Sequence, residues 1–217
     1  MARTALLAGA TGLVGRQLLQ QLLQHSEYQS ITVLSRRPLD HEEGKLTTLL
    51  TDFSDLSDHA EALAVDDVYC ALGTTIRSAG SRAAFERVDY HMVVDLARAA
   101  RRAGAKRFIV VSAAGSSEKS LAFYSRVKAR MEKAVADLGF EAVHILRPSL
   151  LLGDRDEFRP AEKIGQLLAP LLRPLMLGPL RPYQPISATE VASAMLDCAV
   201  QGPSGTHYWS LPRPRKA

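Results

Sequence analysis

The chain is 217 residues long, with 47% hydrophobic and 23% charged residues, a composition that supports one buried core and excludes a disordered chain. Its formal net charge of +4 is mild and spread out, so neither nucleic acid nor a membrane is an expected partner, and the basic tail Arg213-Pro214-Arg215-Lys216 reads as a solvated terminus. Two cysteines, Cys70 and Cys198, and six scattered histidines exclude a disulfide framework and a metal cluster, and point to a reducing cytoplasm.

In chain order, the apolar run at residues 5–8 predicts a strand, and the stripe Val14, Leu18 and Leu22, with Leu19 and Leu23 beside it, predicts a helix over 12–24. Strands at 31–35 and 46–50 follow, then a helix at 54–63 and a strand at 67–72. A long helix is predicted over 82–102, where Val88, Met92, Leu96 and Ala99 trace one stripe and Gly104 is placed to end it. A strand at 107–112, a helix at 121–138 and a strand at 142–147 come next, followed by helices at 161–172 and 188–200 and a last strand near 206–211. Such alternation predicts an α/β fold: one doubly wound, mostly parallel sheet of the Rossmann kind, in strand order 3-2-1-4-5-6, with ligands above the C-terminal strand ends. Residues 1–217 form a single domain on this reading, with 149–187 a small insertion on the substrate side.

The run Gly9-Ala10-Thr11-Gly12-Leu13-Val14-Gly15 follows the first strand and opens the first helix. A dinucleotide pyrophosphate needs that geometry. Gly9 permits the tight turn, Gly12 lets the backbone approach phosphate oxygens, Gly15 lets helix pack on strand, and the helix N-terminus offers N–H groups to the anion. An NAD site places a carboxylate about twenty residues further on, to accept from the ribose 2′-hydroxyl. Here that position is Ser35, followed by Arg36 and Arg37, which suit a 2′-phosphate, so NADP(H) is the expected cofactor. Asp52 is placed either for the adenine edge or as a helix cap, and Leu72-Gly73-Thr74 forms a small-residue turn where backbone can approach the ribose and nicotinamide.

Tyr124 and Lys128 stand four residues apart on one helix face, and Ser112 ends the preceding strand. A phenol is almost wholly protonated at neutral pH. An ammonium about 4 Å away favours phenolate by roughly 4 kcal/mol at an effective dielectric of about 20, so Lys128 is expected to tune Tyr124 for proton transfer. Tyr124 would then donate to a carbonyl oxygen held by Ser112 as hydride arrives, with Lys128 also binding the nicotinamide ribose. The expected substrate is a small carbonyl compound.

The glycine turn, Ser112, Tyr124, Lys128 and the pair Arg147-Pro148 together resemble the short-chain dehydrogenase/reductase superfamily. Within it, Cys70-Ala71-Leu72-Gly73-Thr74-Thr75, Val88-Asp89, Tyr124 to Lys128 and Leu146-Arg147-Pro148 resemble the atypical short members related to the HIV Tat-interacting protein. The resemblance implies a Rossmann fold, NADPH binding and oxidoreductase activity, and puts Pro148 and Leu150 near the nicotinamide. It departs at one point: conventional members add an asparagine to support a relay water, and this chain contains no asparagine. Asp89 or a backbone carbonyl is left to hold such a water. A second reading is therefore open, an NADPH-binding sensor or regulatory protein-binding module without turnover; on either reading the protein is expected to be a monomer or homodimer.

Overall fold

The first strand runs through the centre of the molecule because its sequence, Arg3 to Ala8, becomes wholly apolar and is buried from Ala5 onward. The computed structural model describes residues 2–39, 44–152 and 184–212. Its first half holds β1 (Arg3–Ala8), α1 (Leu13–Gln24), β2 (Tyr28–Ser35), β3 (Leu46–Leu50), α2 (Ala60–Leu63), β4 (Asp67–Cys70), α3 (Ile76–Ala79), α4 (Arg82–Glu86), a π-helical stretch (Arg87–Met92) and α5 (Val93–Arg102). There follow β5 (Arg107–Val111), α6 (Phe123–Ala136), β6 (Ala142–Pro148), β7 (Leu151–Leu152), β8 (Ile186–Ser187), α7 (Ala188–Gln201) and β9 (Gly205–Leu211).

Seven strands form one sheet in the order β3-β2-β1-β4-β5-β6-β9, and every neighbouring pair is parallel. The expected order is observed, with β9 added beside β6. Leu7 lies opposite Val33 on one side and Tyr69 on the other. Side chains alternate across the pleat and so build two cores. Leu6, Ala8, Val68, Phe108 and Ile145 pack with α5 and α6, while Ala5, Leu7, Ile31, Tyr69 and Ile109 pack with α1 and α7. Parallel strands covered on both faces are the doubly wound arrangement. No helix among the described residues is long and apolar enough to cross a membrane.

Several boundaries differ from expectation. The predicted 82–102 helix is continuous in space but not regular, because the turn from Arg87 to Met92 is π-helical. Asp89 within that turn is buried, and beyond it Ala100 is buried while Ala99, expected on the stripe, is only partly so. Gly104 ends the helix as read, with φ at +96°. The fourth strand stops at Cys70, although the Ala71 N–H still donates to the Ala8 carbonyl at 2.9 Å. The helix expected at 54–63 shrinks to a short 3₁₀ turn leading into α2. Only the ends of the 149–187 insertion are described, where β7 and β8 pair in parallel; the helix expected at 161–172 lies outside the described residues. α7 opens with a capping box, Ser187 and Glu190 each accepting from the other's backbone N–H.

A Cβ on Gly9 would sit 2.7 Å from the Ala71 carbonyl carbon, and Gly9 has φ at +90°. Gly9→Ala should therefore cost at least about 2 kcal/mol in urea unfolding. Gly12→Ala, whose Cβ meets nothing nearer than 3.4 Å, should cost about 1 kcal/mol or less; equal effects would contradict this account of the turn.

Candidate cofactor and active site

The turn that leaves β1 is closed by the Gly12 N–H donating to the Gly9 carbonyl at 3.0 Å. Gly12 caps α1 without a side-chain hydrogen bond, and the first turn of α1 holds no acidic residue. Its N–H groups and partial positive charge are thus left for an anion. A Cβ on Gly15 would lie 2.0 Å from the Gly9 carbonyl oxygen, so a glycine is required for α1 to approach this closely. The donor set and the cradle fit a dinucleotide.

Above the turn is a cleft of about 330 Å³. Of the residues singled out in the sequence, Thr11, Gly12, Leu13, Val14, Leu72, Gly73, Thr74, Ser112, Tyr124 and Lys128 all line it. A larger hollow of about 540 Å³ lies between residues 53–63 and α5, but no such convergence of catalytic groups occurs there.

Ser112 follows β5 directly and its N–H donates to the Leu146 carbonyl at 2.7 Å. Its hydroxyl oxygen is 3.3 Å from that of Ser116. Tyr124 rests against Phe85, ring centroids 5.3 Å apart. Lys128, one turn along α6, is buried, and its Nζ lies 2.8 Å from an oxygen of Asp89, which is itself fully buried. The other Asp89 oxygen accepts the Thr74 N–H at 2.9 Å. Burial alone would depress the Lys128 ammonium, but the Asp89 charge, helped by Tyr124, holds it above the usual lysine range. Asp89 thus balances the ammonium that stands beside the Tyr124 phenol. Cys70 lies behind the lysine, and burial pushes its thiol up to about 12 despite the Leu72 N–H and Lys128.

Gly9 and Gly15 form the turn beneath the cleft. The Ser35 hydroxyl, at the end of β2, accepts the Arg37 N–H at 3.2 Å and fixes the turn that carries Arg36 and Arg37. Both arginines are exposed and neither makes an ion pair among the described residues. Asp52 accepts the Ser54 N–H at 2.8 Å, the local turn-capping role, and that residue together with Arg87 holds its carboxyl below the usual range. Pro148 is buried at the end of β6, and its carbonyl accepts the Ala114 N–H at 2.9 Å. Leu150, in the bend between β6 and β7, is 53% exposed, whereas Leu151, the first residue of β7, lines the cleft. Asp89, read from the sequence as a candidate to hold a relay water, and Arg16, given no role there, also line the cleft. Arg16 was legible as a cation directly after Gly15. Asp89 was legible as a carboxylate in phase with Phe85 and Met92 on an apolar stripe.

These features define a nucleotide-binding Rossmann protein. A family model described as NAD(P)H-binding matches residues 9–200, and the chain belongs to that family, as an atypical short-chain dehydrogenase/reductase. It is 35% identical over 168 residues to Protein HTATIP2 of Rattus norvegicus, covering 76% of this chain and 69% of that one. It is 37% identical over 176 residues to "Protein fmp52, mitochondrial" of Emericella nidulans, covering 78% and 75%. Among solved structures it resembles MoeE5 in complex with UDP-glucose and NAD, with a TM-score of 0.70 at 20% identity, covering 94% of this chain and 74% of that one. The mitochondrial name of the fungal relative overturns the cytoplasmic placement expected from the cysteines. Unpaired thiols mark a reducing compartment, and the cytoplasm is not the only one.

Both cysteines are buried, and thiolate is the reactive form. Cys70 and Cys198 should resist iodoacetamide in the native protein at neutral pH and react once it is unfolded. Fast native labelling at Cys70 would show that the lysine side of the cleft opens.

Proposed function

We propose that the protein is an NADPH-dependent reductase of a small carbonyl compound, with Tyr124 as general acid. The observation that carries this is the convergence of Ser112, Tyr124 and Lys128 in one cleft with the uncapped N-terminus of α1. The first turn of α1 receives the pyrophosphate, Arg36 and Arg37 receive the 2′-phosphate, and Leu72 to Thr74 with Lys128 receive the nicotinamide ribose. Asp52 lies toward the adenine, Pro148 and Leu151 toward the nicotinamide. The nicotinamide, when bound, supplies hydride. Ser112 donates a hydrogen bond to the carbonyl oxygen, and Tyr124 gives its hydroxyl proton to that oxygen as the carbonyl carbon is reduced. Solvent then returns the proton to Tyr124.

The assignment makes separable predictions. Tyr124→Phe should lower turnover about a hundredfold to ten-thousandfold while NADPH binding, read by fluorescence titration, stays intact. A panel of aldehydes, ketones and quinones is the substrate screen; tight NADPH binding with no turnover on any of them favours the sensor reading. Arg36→Ala should weaken NADPH binding by about tenfold or more and leave NADH nearly unchanged, since one charge-assisted hydrogen bond is worth roughly 1.5–3 kcal/mol. An unchanged ratio would remove the preference for the phosphorylated cofactor.

A further inference from the structure

A lysine cut off from water normally sheds its proton, because no solvent supports the charge. Lys128 is buried, and the groups that face it from each packed element are few. They are Asp89 from the π-helical stretch, Tyr124 from its own helix and Cys70 from β4. Of these only the Asp89 carboxylate can balance an ammonium, because Cys70 is held as thiol by burial. The carboxylate does so at 2.8 Å with one oxygen, and with the other it takes the Thr74 N–H at 2.9 Å. Gly73 completes the arrangement: a Cβ there would stand 3.4 Å from the Asp89 oxygen and 3.7 Å from Lys128 Nζ. One side chain thus joins the Leu72–Thr74 turn to the lysine beside it.

We propose that Asp89 is a positioning residue, one that fixes the Lys128 ammonium and ties it to the Leu72–Thr74 turn, so that ribose binding and the proton donor share one buried ion pair. The proposal rests on the cofactor reading above. A neutral amide at this position could hold a water or a backbone group, but it could not balance the lysine. With the carboxylate, Lys128 presents to Tyr124 one end of a dipole and not a lone charge. Asp89 lies inside the π-helical stretch, and such turns commonly carry functional side chains.

The discriminating variant is Asp89→Asn, which keeps the shape and an acceptor for the Thr74 N–H and removes the charge. The sign follows from the two opposed causes. Burial lowers the lysine and Asp89 raises it, so removing Asp89 leaves burial unopposed, and the ammonium is lost at lower pH. Wild-type affinity for NADPH should stay flat from neutral into alkaline solution. In the variant it should fall by up to about tenfold per pH unit once the amine is neutral. Coincident profiles would overturn the proposal. The Lys128 amine is read independently, without cofactor, by NMR of isotope-labelled lysine, with the signal assigned by Lys128→Met. In the wild type it should titrate above free lysine, and a titration at or below that of free lysine overturns the proposal even if Asp89→Asn does not fold. If the wild type binds no NADPH, the cofactor reading fails, while the amine titration still decides the pair.

Discussion

The tightest constraint in the molecule is the meeting of three backbone segments at Gly9. The Gly9 carbonyl lies where a side chain on Gly15 would have to stand, and the Ala71 backbone lies where a side chain on Gly9 would have to stand. This crowding seats α1 on β1 and holds the exit of β4 against the same turn. The anion-binding end of α1 and the Leu72–Thr74 wall consequently face each other across a gap set by main-chain contacts. α7 adds a second brace, with the Thr189 hydroxyl donating to Gln17 at 3.0 Å from across the face of the sheet.

Buried carboxylates lie toward both ends of β4, and they are treated differently. At its start, Asp67 accepts from Arg3 at 2.7 Å, from Arg107 at 3.3 Å and from the Tyr28 hydroxyl at 2.7 Å. Tyr28 also meets Tyr69 at 2.7 Å, and burial foremost pushes both phenols above their usual range. Every acceptor there is satisfied by several donors, away from the cleft, which is what a structural network requires. Beyond the other end of β4, Asp89 has one cation and one N–H, and it lines the cleft. A sparse, buried ion pair beside a cavity is where perturbed ionisation usually serves function. Glu132 and Arg147 form an intermediate case, joined through Arg147 Nε at 3.0 Å while the guanidinium lies over the Tyr208 ring.

Most of the fold was legible because its signals are local. Apolar runs gave the strands, the stripe from Val14 to Leu22 gave α1, and Gly104 marked the end of α5. The cleft was legible in outline, since the glycine turn, Ser112, Tyr124 and Lys128 each carry a recognisable local pattern. What escaped was set by tertiary contact. The Asp89 carboxylate of the π-helical turn meets Lys128 and the Thr74 N–H, partners 39 and 15 positions away in the chain, and helical periodicity cannot register them. Leu151 lines the cleft from a strand that is defined by its pairing with β8, a partner 35 positions away in the chain.

The π-helical turn also makes the number of residues here as informative as their identity. A helix that accommodates one residue beyond its regular winding can lose that residue without breaking, and the shortened segment would wind more regularly. The cost would fall elsewhere. Each residue advances an α-helix by about 100°, so loss of a single codon between Arg87 and Met92 would re-aim the residues of the turn itself, Asp89 among them, and take the counter-charge from Lys128. Natural length variation is therefore expected to avoid this turn and to collect in the surface loops, where a gained or lost residue re-aims nothing.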